Sequence, residues 1–295
     1  MTNIAILMTC YNRKETTLSS IKALYKQDLP SNNIHFKVFL VDDGSTDGTS
    51  SEVQKLYPET VLLYGNGELF WCGGTRLAFK EALKESFDFF LWLNDDTILK
   101  ERAIKSLIHT YNLLQDKVGP EIIVVGSMED SKSGNITYGG VVRHSRARPL
   151  KFNLIKPHQT NPLKCHTMNG NLVLIHHSVV KKIGNITEGF VHGMGDFDYG
   201  LKANKAGVQI YIAPNTLGYC SRNGIKGTPD DESLSLAIRI RKFISIKHMP
   251  PKQWKIYSKI HGGRFWFVYM ISPYIMFLLR LIKNKIKYKT HVHSN

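Results

Sequence analysis

Three groups of carboxylates in this 295-residue chain could do chemistry. Asn94-Asp95-Asp96 follows the apolar run Phe89–Leu93, so a strand-like stretch ends abruptly in an amide and two acids. A buried strand delivering carboxylates to its C-terminal end is how an open α/β sheet builds a polar site. Hard divalent cations take few carboxylates and fill their remaining positions with phosphate and water. Asn94-Asp95-Asp96 therefore reads as a place to hold a metal–diphosphate. Asp and Thr97 would equally serve as helix N-caps. Asp42-Asp43 opens the turn Gly44-Ser45-Thr46-Asp47-Gly48, which a simple Asx turn would also explain. Asp196 and Asp198 lead into a helical pattern, where acidic side chains also suit the helix dipole.

The elements that must position these groups alternate. Residues 4–9 form a continuous apolar run, as in a strand buried on both faces. Asn12 and Glu15 have the spacing of a capping box for a helix reaching about Gln27. A strand over His35–Val41, a weak helix over Thr49–Leu56 and a strand over Thr60–Leu63 follow. A glycine-rich loop, 65–74, then leads to a helix from about Thr75 to Ser86, whose N-terminus could face an anion. This β-α-β-α order argues for a mostly parallel sheet. Right-handed crossovers put the loops after Thr9, Val41 and Leu93 on one edge, the ligand edge of such sheets. Further on, Ile122–Gly126, Ile136–Val142, Gly170–Ile175 and Val208–Ile212 read as strands. Ser178–Ile183 reads as a short helix, and a second helix ends near Gly207. Arg143–Pro162 is basic and Pro-containing and is expected as a mobile loop.

The charge is uneven. The chain carries +15, yet no acidic residue follows Glu232, and 13 Lys and Arg lie between Arg239 and Lys289. A nucleic-acid-binding domain would spread basic residues over its main fold; a basic tail on a nearly neutral body suits an anionic membrane surface. The tail also holds Phe265–Ile271 and Tyr274–Leu279, separated by Ser272-Pro273 and closed by Arg280. A spanning helix needs about 20 apolar residues, so this broken run fits an interfacial helix, with a spanning segment or a dimerisation helix as alternatives. The four cysteines form no CxxC pair, which suggests neither a zinc knuckle nor a disulfide framework and fits a reducing cytoplasm. The start has no basic n-region or cleavage site, so no signal peptide is expected.

Four motifs in order, Thr9-Cys10-Tyr11-Asn12-Arg13, Val41-Asp42-Asp43-Gly44-Ser45-Thr46-Asp47, Leu93-Asn94-Asp95-Asp96-Thr97 and Gly195-Asp196-Phe197-Asp198, resemble those of the family 2 inverting glycosyltransferases. The resemblance covers about residues 4–220. It implies a GT-A fold, which is α/β and Rossmann-like, with a mixed, mostly parallel central sheet flanked by helices. Here that domain would span 1–230, with a nucleotide-binding half (1–120) and an acceptor-side half (121–230), before a helical tail (231–295). The resemblance also implies roles. Thr9, Tyr11, Asn12 and Arg13 would line the nucleotide pocket and Asp43 would read the base. Gly74 and Arg76 would lie near the nucleotide. Asn94 would touch the ribose in place of the usual carboxylate, Asp95 would belong to the nucleotide site, and Asp96 would bind Mg²⁺ or Mn²⁺. Asp196 would be the catalytic base, with His192 towards the acceptor and Asp198 orienting the acceptor or supporting the helix start. Many relatives carry a metal-binding His after the last sheet strand, where this chain has Cys220, a soft ligand poorly matched to Mg²⁺. Arg222 could instead meet the diphosphate.

The activity expected is transfer of a hexose or rhamnose from a UDP- or dTDP-sugar to a glycan hydroxyl. The acceptor would be a polyprenyl-linked glycan at the cytoplasmic face of a bacterial membrane, in cell-surface polysaccharide synthesis, with another, soluble glycan as the alternative. No nucleic-acid partner is expected. A nucleotidyltransferase is the first alternative, though the loop after Thr9 lacks the glycines that would hold a triphosphate. A non-catalytic membrane-binding module is the second. The His176-His177 and His291–His293 pairs lack anything to complete a metal site.

Overall fold

The computed structural model describes residues 2–29 and 34–292. The chain divides into two compact units, one of residues 1–142 with 152–222, the other of residues 143–151 with 223–295.

The first unit opens with β1 (Thr2–Cys10), α1 (Lys14–Tyr25), β2 (Ile34–Asp42), α2 (Thr49–Leu56), β3 (Val61–Tyr64), α3 (Phe70–Ala82) and β4 (Phe89–Leu93). It continues through β5 (Ile98–Leu99), α4 (Ala103–Val118), β6 (Ile122–Glu129), β7 (Ile136–Tyr138), β8 (Gly140–Ser145) and β9 (Arg148–Leu154). Two short strands, β10 (Leu163–Lys164) and β11 (Thr167–Met168), precede β12 (Leu172–His176), α5 (His177–Ile183), α6 (Gly195–Lys205) and β13 (Gln209–Tyr219). The main sheet runs β10-β13-β6-β12-β4-β1-β2-β3. Its β1, β2, β3 and β4 pair in parallel, as do β6 and β13, while β12 lies antiparallel between β4 and β6. This is a mixed, mostly parallel sheet flanked by helices, the GT-A arrangement. The apolar run of β1 explains its central place, since Ile4, Ala5, Ile6, Leu7 and Met8 are all buried. A strand covered on both faces must be apolar throughout.

Topology gathers the polar residues. Register pairs Cys10 with Asp42 and Leu7 with Trp92, so the C-terminal ends of β1, β2 and β4 reach one edge. Because β12 is antiparallel, its start comes to that same edge, with Leu172 opposite Leu93. The bulged strand β13 runs on past Ile212 to Tyr219 and delivers Cys220 there too, its backbone N–H bonded to Glu129 O.

Several sequence expectations need correction. Helix α3 begins at Phe70, five residues before Thr75. The capping box at α1 does not form; Asn12 sits at φ +49° with its Oδ1 accepting from Thr46 N, and Asp47 accepts from Lys14 N instead. Residues 136–142 are two strands broken at Gly139 (φ +154°). The stretch 143–162 is not a loop throughout, because β8 and β9 form a hairpin within it.

The second unit contains the tip of that hairpin and three helices, α7 (Leu236–Phe243), α8 (Pro251–His261) and α9 (Trp266–Val292). Helix α9 passes through Pro273 unbroken. Proline removes the N–H that would bond Tyr269 O. Trp254 Nε1 at 3.2 Å and Ser272 Oγ at 3.3 Å donate to that carbonyl instead. Ring stacking of Phe243 on Phe277, centroids 3.9 Å apart, joins α7 to α9. Gly263–Lys283 is long and apolar enough to cross a membrane, with a mean hydropathy of 1.7. The side chains of the His291–His293 pair fall outside the described residues.

Candidate functional site

At the C-terminal end of β4, Asp95 is buried and Asp96 is partly open. The Arg13 guanidinium, from the start of α1, bridges them, with Nη1 2.8 Å from Asp95 Oδ1 and Nη2 3.0 Å from Asp96 Oδ2. Burial pushes the Asp95 carboxyl up to about 7, against the opposing pull of Arg13 and with the repulsion of Asp96. Cys220 Sγ donates to Asp96 Oδ1 at 3.4 Å and accepts from Asn171 Nδ2 at 3.4 Å. The thiol is itself pushed up to about 12, by burial and by Asp96. A thiol this reluctant to ionise, and soft besides, is a poor match for a hard cation. Among the described residues no group of three or more His, Cys, Asp or Glu could hold a metal. What the edge does offer is two adjacent carboxylates. That suits a cation that arrives with a diphosphate and keeps its own waters, as Mg²⁺ does.

The Asp43 carboxylate is committed to the backbone. Its Oδ1 accepts from Gly67 N at 3.0 Å and Leu69 N at 3.2 Å, and its Oδ2 accepts from Phe70 N at 2.8 Å. These bonds fix the 65–70 loop and start α3. Gly65 leaves no room for more, since a Cβ there would lie 2.3 Å from Asp43 Oδ1. Thr9 packs on Gly74, where a Cβ would come within 2.3 Å of the threonine methyl. The Thr9 hydroxyl has no hydrogen-bond partner among the described residues. Tyr11 is half exposed at the rim beside Gly67. Arg76, expected near the nucleotide, instead donates to Thr187 O and Phe190 O at 3.0 and 3.3 Å and holds the 187–190 turn.

Asp196 lies in the first turn of α6, after Met194 in a left-handed conformation (φ +71°). Its Oδ2 accepts from Gly170 N at 3.1 Å and its Oδ1 from Phe197 N at 2.8 Å. Burial raises this carboxyl to about 6, although both backbone bonds favour the charged form. Gly195 must be glycine, since a Cβ would meet Cys72 Sγ at 2.4 Å. The preceding loop is tied to α3 through Cys72, whose N–H donates to Val191 O and whose thiol donates to His192 O. The His192 ring lies edge-on to Phe70, centroids 5.9 Å apart. Asp198 is buried and accepts from Thr187 Oγ1 at 2.6 Å, so it braces the helix start, one of the two roles open to it. Arg222 is spent on Thr137 O, with bonds of 3.0 and 3.2 Å.

Two residues outside the sequence reading join these parts. Trp71 Nε1 donates to Asn94 Oδ1 at 2.7 Å, and its ring fills the space over Gly170, where a Cβ would sit 2.3 Å from it. One side chain therefore touches both the Asn94 strand end and the residue that bonds Asp196. Asn171 links Cys220 to β4, with its carbonyl accepting from Asn94 N. The only advance signals were a tryptophan inside a glycine-rich loop and a Gly-Asn pair before a strand. A cavity of about 620 Å³ at the opposite strand ends, lined by Asn3, Asp88 and His177 among others, is far from this chemistry in the sheet.

Residues 5–184 match the model of glycosyl transferase family 2, well over half the chain. The chain is 22% identical over 223 residues to poly-beta-1,6-N-acetyl-D-glucosamine synthase of Staphylococcus epidermidis, covering 73% of this chain and 51% of that protein. It thus spans about half the length of the curated relatives it matches. Among solved structures, S. aureus TarS 1–349 superposes with a TM-score of 0.53 at 15% identity, covering 88% of this chain and 70% of that one. TarS 1–349 has also been solved in complex with UDP-GlcNAc. The mannosyltransferase PcManGT from Pyrobaculum calidifontis, in complex with GDP-Man and Mn²⁺, gives 0.51 at 16% identity over 73% of this chain and 56% of that one. At these identities the structural likeness speaks for the fold.

Proposed function

Because this chain belongs to glycosyl transferase family 2, we propose that it inverts the anomeric centre of a UDP- or dTDP-linked sugar as it transfers that sugar to a glycan hydroxyl. Asp196 is the base. It accepts the proton of the acceptor hydroxyl while that oxygen attacks the anomeric carbon, and the bond from that carbon to the diphosphate oxygen breaks on the opposite face. The observation that carries this reading is the Asp196 carboxyl itself, oriented by two backbone N–H groups and raised to about 6 by burial. A general base works best with a pKa near the operating pH.

Asp96, with Asp95 beside it, would hold Mg²⁺ or Mn²⁺, which when bound supplies Lewis-acid neutralisation of the leaving diphosphate. Arg13 screens the same two carboxylates and is positioned to meet phosphate oxygens. Tyr11, Asn12 and Thr9 form the rim towards the nucleotide, and Asn94 is oriented for a ribose hydroxyl by Trp71. Gly74 and Asp43 act beneath the pocket, shaping the 65–74 segment. His192 lies on the acceptor side. The acceptor we infer is polyprenyl-linked glycan in cell-surface polysaccharide synthesis, met at the cytoplasmic membrane face through the basic C-terminal tail. The similarity to a polysaccharide synthase and the composition of the tail support this placement.

Calorimetry of UDP, dTDP and GDP, each with and without Mn²⁺, tests the donor half. Metal-dependent binding of one pyrimidine diphosphate is expected. Failure of all three in the presence of lipid acceptor would sink the reading.

A further inference from the structure

The second unit holds the whole net charge of the molecule. Residues 143–151 and 223–295 contain 18 Lys and Arg against three acidic residues, a net of +15, which leaves the first unit neutral. Among the described residues the same small unit exposes 17 large hydrophobic side chains, against eight in the much larger first unit. Two of its helices, α7 and α9, expose apolar side chains where a helix facing water would present polar ones. On α7, Arg239 is buried with Nε donating to Pro229 O at 2.8 Å, while Leu236, Ile238 and Ile240 are exposed. On α9, Phe277 and Leu281 are packed, while Ile275, Met276, Leu278 and Leu279 are exposed.

The hairpin tip belongs to this arrangement. Tyr269 Oη, on α9, donates to Ala147 O at 2.8 Å. Around that carbonyl Arg146, Arg148 and Lys151 are exposed, and the tip has no acidic residue. A protein partner would account for the bare leucines and isoleucines but calls for no such excess of one sign of charge. Nucleic acid would account for the charge but not for the apolar faces. An anionic bilayer takes both, with apolar side chains at the acyl boundary and basic ones among the headgroups.

We infer that the 143–151 hairpin tip is a lipid-contact element that works with α7, α8 and α9 as one docking surface for an anionic bilayer. This rests on the membrane placement proposed above and adds the hairpin to it. The test is sedimentation of the full chain with phosphatidylcholine vesicles, with and without phosphatidylglycerol. The wild type binds the anionic vesicles more tightly, and added salt weakens that binding. The triple variant Arg146→Gln/Arg148→Gln/Lys151→Gln loses about fivefold per charge, about 100-fold in all. A control with Lys22, Lys55 and Lys117 of the first unit changed to Gln keeps its partition. Equal binding to both vesicle types, or a triple variant that binds as the wild type does, overturns the inference. So does a doubled mass in solution with no vesicle binding, which would assign the apolar face to a second copy of the chain. Circular dichroism and nucleotide calorimetry on the same preparations report the fold and the first unit. Loss of nucleotide binding in every protein would therefore count against the catalytic reading and leave the lipid result standing.

Discussion

Asp95 and Asp96 face a guanidinium, whereas Asp196 faces two backbone amides. All belong to the same edge of chemistry, but their surroundings assign them different work. At the first site Arg13 opposes the burial that raises Asp95, so the guanidinium favours the charged pair and can give way to another positive partner. Among the described residues no Lys or Arg pairs with Asp196, and burial leaves it titrating near 6, suited to accept and release a proton. If this contrast is right, Asp196→Asn is the most damaging change. It keeps the shape and one acceptor oxygen but cannot take a proton. Turnover should fall by about 100- to 10,000-fold, while calorimetric nucleotide affinity stays within about twofold. Loss of nucleotide binding in this variant would erase the distinction between the two carboxylate sites.

Asp96→Ala probes the other end. Mn²⁺-dependent nucleotide binding should weaken by at least about 100-fold, since even indirect supports of a metal ligand cost 10- to 100-fold. Binding measured without Mn²⁺ should change little. A variant that binds Mn²⁺–nucleotide as the wild type does would move the metal away from this strand end. The third effect is smaller and follows from titration. Asp196 must be ionised to accept a proton, so with its pKa at about 6 the rate falls on the acid side. At pH 5 about one molecule in ten is ionised, and kcat/KM, which reports the free enzyme, should be about tenfold below its plateau. A profile flat from pH 7 down to 5 would remove Asp196 as the titrating base.

The difference between the two sites was only partly legible in the sequence. Strand-end carboxylates announce themselves, because an apolar run followed by acids has one obvious place in an α/β sheet. The sheet, its mostly parallel order and the edge that collects its polar loops follow from the alternation of elements. What the types and spacings did not carry is pairing over long separations. Arg13 and Asp95 are 82 positions apart, and only the adjacency of β1 and β4 makes them an ion pair. The start of α3 escapes the local pattern for the same reason. Its first N–H groups are capped by Asp43, 26 and 27 residues upstream, so no local cap marks Phe70. The hairpin at 140–154 was hidden by its basic, Pro-containing composition, which reads as loop until β11 pairs with β8.

Trp71 is where the two sites meet, and it gives the smallest and most discriminating effect. Its indole N–H bonds Asn94 at one end, and its ring rests on Gly170, whose own N–H bonds Asp196. Trp71→Phe removes the N–H and trims the ring while keeping aromatic volume against Trp92, 5.5 Å away. One hydrogen bond to a partly accessible amide is worth about 0.5–1.5 kcal/mol, so a loss of about three- to tenfold in kcat/KM is expected. The informative quantity is how that loss divides. If Trp71 only orients Asn94, the loss lies in donor affinity, and adding Asn94→Ala to Trp71→Phe costs no more than Asn94→Ala alone. If the ring also sets Gly170, and through it Asp196, kcat falls too, and the acid limb of the pH profile shifts because one of the two bonds that favour the carboxylate is loosened. Weakening that bond raises the pKa, so the limb should move to higher pH. A variant with reduced donor affinity and an unmoved limb would leave the two carboxylate sites mechanically independent.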